Sequence, residues 1–356
     1  MDADAPPLLT ADLPGTGGRI KASADDFEVE EIPAYAPSGR GEHLYLWVEK
    51  RDLGAEYFMR QLAQRLNLAP GDVGSAGLKD RHAVTRQMVS VPQSAEPNLP
   101  RLEGDGIRLL SVSRHSNKLR PGHLLGNRFR ILIREAEHPD RLAPILERIR
   151  TNGLPNFYGE QRFGRGGQTG SWGMALLRKE EPPPDEHGRK PNLHKRFLKK
   201  LALSAAQSLL LNRYLARRLQ DGLLRRVLPG DVTSHYPRGG LFVAEDVPAT
   251  QARFDARQVV TSGPMFGRKT FPARGEAAER EAAVLAEAGL TAQSFLGFGP
   301  LVEGTRRHNL VYVDDLQGAA EEAGVRLNFT LPAGSYATIL LREVMKSAVS
   351  AEDELA

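Results

Sequence analysis

The stretch VGSAGLKDRHAVTRQMVSV, from Val73 to Val91, sets a single carboxylate, Asp80, between Lys79 and Arg81, with His82 beside it and Arg86 a little further on. Positive charge this close stabilises an ionised acid and lowers its pKa. A carboxylate kept ionised near neutral pH is suited to act as a nucleophile or base and not as a proton donor. The same residues also describe a solvated turn of mixed charge, and spacing alone leaves both readings open.

The surrounding apolar residues predict how such an acid would be held. Val73, Ala76 and Leu78 lead into the cluster and Met88, Val89 and Val91 lead out, a pattern for two short strands around a turn, with Gly74 and Gly77 giving latitude at the entry. Before it, residues 19–32 alternate apolar and polar at Phe27, Val29 and Ile32, His43 to Val48 is a second strand, and Leu53 to Leu66 an amphipathic helix. After it, Ile107 to Val112 and Arg128 to Ile133 read as strands and Leu142 to Arg150 as a helix. From Gly153 the segment GLPNFYGEQRFGRGGQTGSWG is rich in Gly, Arg and aromatics, which predicts a ligand-holding or tightly packed loop.

Between Arg189 and Arg226 there are eleven Lys or Arg against one acid, Asp221, and apolar residues recur at helical spacing. That predicts a helix with one buried face and a basic face for phosphate, with Arg213, Arg217 and Arg218 as backbone contacts. GPMFGRKT, Gly263 to Thr270, lacks the glycine spacing of a nucleotide-binding loop. Gly275 to Ala288 is a helix, Leu310 to Val313 and Val325 to Leu331 are strands, Ser335 can cap a helix running to Lys346, and the tail from Ala351 should fray.

With 356 residues and 40% hydrophobic content the chain can bury two cores. A net charge of +4 and a pI near 9.3 favour an anionic partner, nucleic acid first. The absence of Cys excludes disulfides and thiolate metal sites, and the nine His residues form no compact ligand set, so no metal is expected. The first residues lack the features of a secretory signal and no later run is apolar enough for a membrane span, so a cytoplasmic protein is expected.

Five motifs in order, GLKDRHAVTRQ at 77–87, LLGNRFRILIRE at 124–135, LPNFYGEQRFGRGG at 154–167, SAAQSLLLNRYLARRL at 204–219 and LPAGSYATILLRE at 331–343, resemble the tRNA pseudouridine synthase D (TruD) family. The likeness runs from about Gly17 to Val344. It implies an α+β fold: a discontinuous pseudouridine synthase catalytic domain, 1–152 plus 304–356, whose mixed, mainly antiparallel sheet is flanked by helices, and an inserted α/β TRUD domain, 153–303, that contacts tRNA. The implied activity is isomerisation of uridine 13 of tRNA to pseudouridine, without cofactor, on a base flipped out of its stack.

Position by position, the resemblance implies Asp80 as the catalytic acid, with Lys21 as its basic partner, and Phe27, Asn127, Phe129 and Phe329 around the uridine. Other pseudouridine synthase families carry an Arg near the start of the last helix. GSYATILL has none before Arg342, which keeps Lys79 and Arg81 as rivals to Lys21 and as substrate contacts. No obligate protein partner and no membrane are expected. A rival from another class is an RNA-binding or RNA-chaperone protein that kept the fold without the chemistry.

Overall fold

The computed structural model describes residues 5–347, so the expected frayed tail from Ala351 lies outside the described residues. In chain order the strands and helices are β1 (Phe27–Pro33), β2 (His43–Arg51), α1 (Ala55–Arg65), β3 (Gly74–Ser75), β4 (Val84–Pro92), β5 (Ile107–His115), β6 (Leu124–Arg134), α2 (Leu142–Asn152), β7 (Leu154–Pro155), α3 (Gln168–Arg178) and α4 (Arg196–Gln220). There follow β8 (Val232–His235), β9 (Leu241–Val243), α5 (Val247–Asp255), β10 (Val259–Met265), α6 (Gly275–Glu287), β11 (Thr305–His308), β12 (Leu310–Val311), β13 (Gln317–Glu321), β14 (Gly324–Pro332) and α7 (Ala337–Met345). Among the described residues no helix is long and apolar enough to cross a membrane.

The chain divides into two compact units, one of residues up to 11 with 151–312, the other of 12–150 with 313 onward. The second boundary falls nine residues beyond the expected 303, because β11 pairs with β10 and β12 pairs with β7, which ties both strands to the 151–312 unit.

The 12–150 and 313 onward unit is built on one eight-stranded sheet in the order β13-β14-β6-β1-β4-β2-β5, with β3 also on β4. Every pairing is antiparallel except β1 with β4, so the sheet is mixed but mainly antiparallel. Residues opposite each other on paired strands share a face. One cross-strand row runs Phe329, Phe129, Val29, Thr85, Lys50, and the next contains Leu331, Asn127 and Glu31. Helix α1 packs on this face: Phe58, Leu62 and Leu66 lie with Leu44, Leu46, Val48, Val89 and Val91 in one core. Burying each such side chain contributes roughly 1.5–3 kcal/mol. Helix α2 lies on the same face, with Leu146 and Leu142 within reach of a Cβ built on Gly318, opposite Leu327.

The other face of the sheet is a charge ladder. Arg86 pairs with Glu28 and Glu49, Arg128 with Glu30, and Arg130 with Glu28.

In the 151–312 unit β11-β10-β8-β9 form a four-stranded sheet, and α3 and α4 contribute Met174, Leu177, Leu203, Leu210 and Tyr214 to a core closed by Phe266, Phe295 and Val302. The Gly-rich segment expected as a loop ends in a helix, since α3 begins at Gln168. The two glycines within α3 are packing contacts: a Cβ on Gly173 would collide with the Ala202 carbonyl oxygen of α4, and one on Gly170 would meet Leu209 at 2.6 Å. Helix α7 starts at Ala337 with Tyr336 at its N-cap position and no side-chain cap bond, so Ser335 does not cap it.

Candidate active site

Asp80 lies in the loop between β3 and β4, beside the face that carries Phe27 and Phe129. Lys21, held in a left-handed conformation at φ 56° ahead of β1, reaches it: Lys21 Nζ is 3.2 Å from Asp80 Oδ1. The lysine side chain is buried while that of Asp80 is 26% exposed, so the carboxylate is anchored from below and open from above. The same ammonium sits 4.7 Å from the centre of the Phe27 ring, a favourable electrostatic contact with its face. Phe27 meets Phe129 edge-on at 6.3 Å, and Phe129 stacks on Phe329 at 5.2 Å and 21°. In the neighbouring row the side-chain oxygen of Asn127 is buried without a hydrogen-bond partner. A buried acceptor left in that state costs free energy until a donor meets it.

The structure therefore brings together Asp80, Lys21, Phe27, Phe129 and Phe329, with Asn127 one row away. Lys79 and Arg81 take other places. Lys79 turns inward to Glu31, 2.8 Å away, in a pair buried at both ends, so it neither pairs with Asp80 nor faces a ligand directly. Arg81 is exposed, and only its carbonyl is fixed, by the Ala83 N–H. The rest of the loop is clasped from β2: His82 Nδ1 lies 2.7 Å from Asp52, whose own N–H donates to the Ala83 carbonyl.

Two buried charged residues were not singled out from the sequence. Glu31 accepts from the Met88 N–H and carries Lys79. Lys50 is fully buried and donates to the carbonyl of Asp80. The signal was the strand alternation itself, since Glu31 shares parity with Phe27 and Val29, and Lys50 with Leu44, Leu46 and Val48.

A cleft of about 450 Å³ on this unit is lined by Glu28, Glu30, Arg86, Arg128 and Arg130, and also reaches Phe129 and Phe329. Its charged residues are those of the ladder, and each of its arginines already has a carboxylate partner.

The basic helix α4 separates into two ends. Arg218 is 1% exposed and holds Asp231 through both guanidinium nitrogens, at 2.9 and 2.6 Å, with a further bond to the Tyr214 hydroxyl. It is a structural ion pair and cannot reach a phosphate. Arg217 pairs with Glu287, and Arg213 is half-buried. At the other end Lys195, Arg196 and Lys200 are exposed around Phe197, which is 79% exposed.

With this geometry established, comparison with known proteins gives a single answer. A family model described as tRNA pseudouridine synthase D (TruD) matches residues 7–182 and 190–344. The chain is 43% identical over 348 residues to a protein named tRNA pseudouridine synthase D from Anaeromyxobacter dehalogenans, covering 98% of this chain and 99% of that one. It is 42% identical over 351 residues to the protein of the same name from Thermus thermophilus, covering 98% and 94%. A crystal structure titled as the putative tRNA pseudouridine synthase D (TruD) from Methanosarcina mazei aligns with a TM-score of 0.77 at 25% identity, covering 97% of each chain. The α+β architecture and the sequence alike place this chain in the TruD family of tRNA pseudouridine synthases.

Proposed function

We propose that this protein isomerises a uridine of tRNA, position 13 by family resemblance, to pseudouridine, with Asp80 as the catalytic carboxylate. The reaction breaks the C1′–N1 bond, turns the uracil and joins C1′ to C5. The C5 proton leaves and N1 ends protonated, with no net oxidation. The Asp80 carboxylate either attacks C1′ or helps remove the 2′ proton, and Lys21, 3.2 Å from it, holds it in place. The observation that carries this reading is the pairing of a half-open carboxylate with a buried ammonium directly beside an aromatic cluster.

A uridine must leave its stack to reach such a group, and an aromatic face with an amide is what its ring and edge require. Phe129 and Phe27 would bound the base, and the Asn127 oxygen would accept from uracil N3–H. In this reading the 12–150 and 313 onward unit does the chemistry and the 151–312 unit holds tRNA backbone, through the exposed Lys195, Arg196 and Lys200 and not through Arg218. Cytoplasmic tRNA is the matching substrate pool.

Tritium release from tRNA labelled at uridine C5 tests the proposal. Release by the wild type together with its loss in Asp80→Asn supports an enzyme. Tight tRNA binding with no release from any tRNA would leave the RNA-binding rival.

A further inference from the structure

We propose that Lys50 is a positioning residue for the reaction, fixing the main chain of Asp80 from the buried end of β2. The inference rests on the assignment of Asp80 above. Lys50 is fully buried, and its Nζ donates to the Asp80 carbonyl at 2.5 Å and to the Leu53 carbonyl at 2.6 Å. Among the described residues no carboxylate stands within ion-pair distance of it, and only the more distant Asp80 and Asp52 carboxylates favour its charge.

A lysine buried without a counter-ion is costly, and an apolar residue would fill the same place on the α1 face more favourably. What this lysine supplies is a charge-assisted grip on one backbone oxygen of the loop. Lys21 holds the carboxylate of Asp80 and Lys50 holds its carbonyl, so the residue is fixed at both ends. A loop without regular hydrogen bonding between β3 and Ala83 gains from that clamp, because small displacements of a catalytic group are expensive in rate.

Burial draws the Lys50 pKa from 10.5 down to about 8. The Asp80 and Asp52 carboxylates oppose that fall, while the Lys79 and Lys21 ammoniums add to it. Deprotonation leaves an amine that still donates, but through bonds about half as strong, and it removes one of the positive charges around the carboxylate. The rate should therefore decline as pH rises through about 8.

The test is single-turnover pseudouridine formation across that range for the wild type, Lys50→Met and Lys50→Gln, with tRNA affinity measured in parallel. The expected result is a wild-type inflection near pH 8 that both variants lack, a rate roughly tenfold lower or more in Lys50→Met, and tRNA affinity changed less than about twofold. Lys50→Gln, which keeps a neutral donor, should retain more rate than Lys50→Met, and it serves alone if Lys50→Met does not fold. Wild-type rates in a folded variant, an inflection shared by wild type and variant, or rate and affinity falling together would each overturn the role. If the wild type itself converts no uridine, the failure lies with the Asp80 assignment and not with Lys50.

Discussion

Exchanging Asp80 for Asn preserves the size of the side chain and removes its charge. Turnover should fall on the order of 10³-fold or more, the scale of losing a positioned acid or base. Affinity for tRNA should hold or rise slightly, since a carboxylate near phosphate is repulsive. A melting curve on the same sample separates this outcome from a structural role: early melting with retained conversion would overturn the assignment.

Lys50 adds a pH test on stability. It loses its proton near pH 8 when folded and near 10.5 when unfolded, so unfolding takes up a proton between those values. The fold should therefore gain stability as pH rises across that window, measured against Lys50→Met, which has no such group. A melting difference that stays constant from one end of the window to the other would contradict the buried charge. The motif around Asp80 was legible because its residues are unusual together. Glu31 and Lys50 were hidden because a charge at a core position of a strand looks like a solvent-facing residue until its cross-strand partners are known.

At the scale of elements, helix α4 shows where composition misleads. Eleven cations suggested one basic face, yet Arg218 follows Leu211, Tyr214 and Leu215 along the buried stripe, and its partner Asp231 lies five residues beyond Arg226, where the basic stretch ends. Arg218→Met should cost about 3–5 kcal/mol in chemical denaturation, because it strands a buried carboxylate. Replacing Lys195, Arg196 and Lys200 by Gln should instead leave stability alone. It should flatten the slope of log affinity for tRNA against log salt by about 0.7 to 0.9 for each phosphate that is no longer neutralised. An unchanged slope would assign the backbone grip to other residues. Helix α3 was unreadable for a related reason: its glycines, which usually signal a loop, are there so that α4 can come close. Strand β13 reads QGAAE and is exposed throughout, so it offers no alternation, and its strand character comes only from pairing with β14.

At the scale of the molecule, the change in composition at Gly153 lies two residues past the start of the 151–312 segment, which interrupts 12–150 and 313 onward. The far end of that segment leaves no such mark, because β11 and β12 are too short to announce which sheet they join. The interruption has a consequence for how the protein is made. Strand β6 has β1 on one side and β14 on the other, yet β14 comes from Gly324–Pro332, after the whole of 151–312. On the ribosome the sheet that carries Asp80 must wait with the outer edge of β6 open, Phe129 lacking its Phe329 neighbour, while the later-made unit completes itself first. A chain truncated after Tyr312 and released should thus resist protease across 151–312 and be cut within 12–150. Release of β14 should then close the edge in one late step, which makes the last strand and α7, not the motif around Asp80, the part whose arrival decides whether a newly made chain becomes active or aggregates.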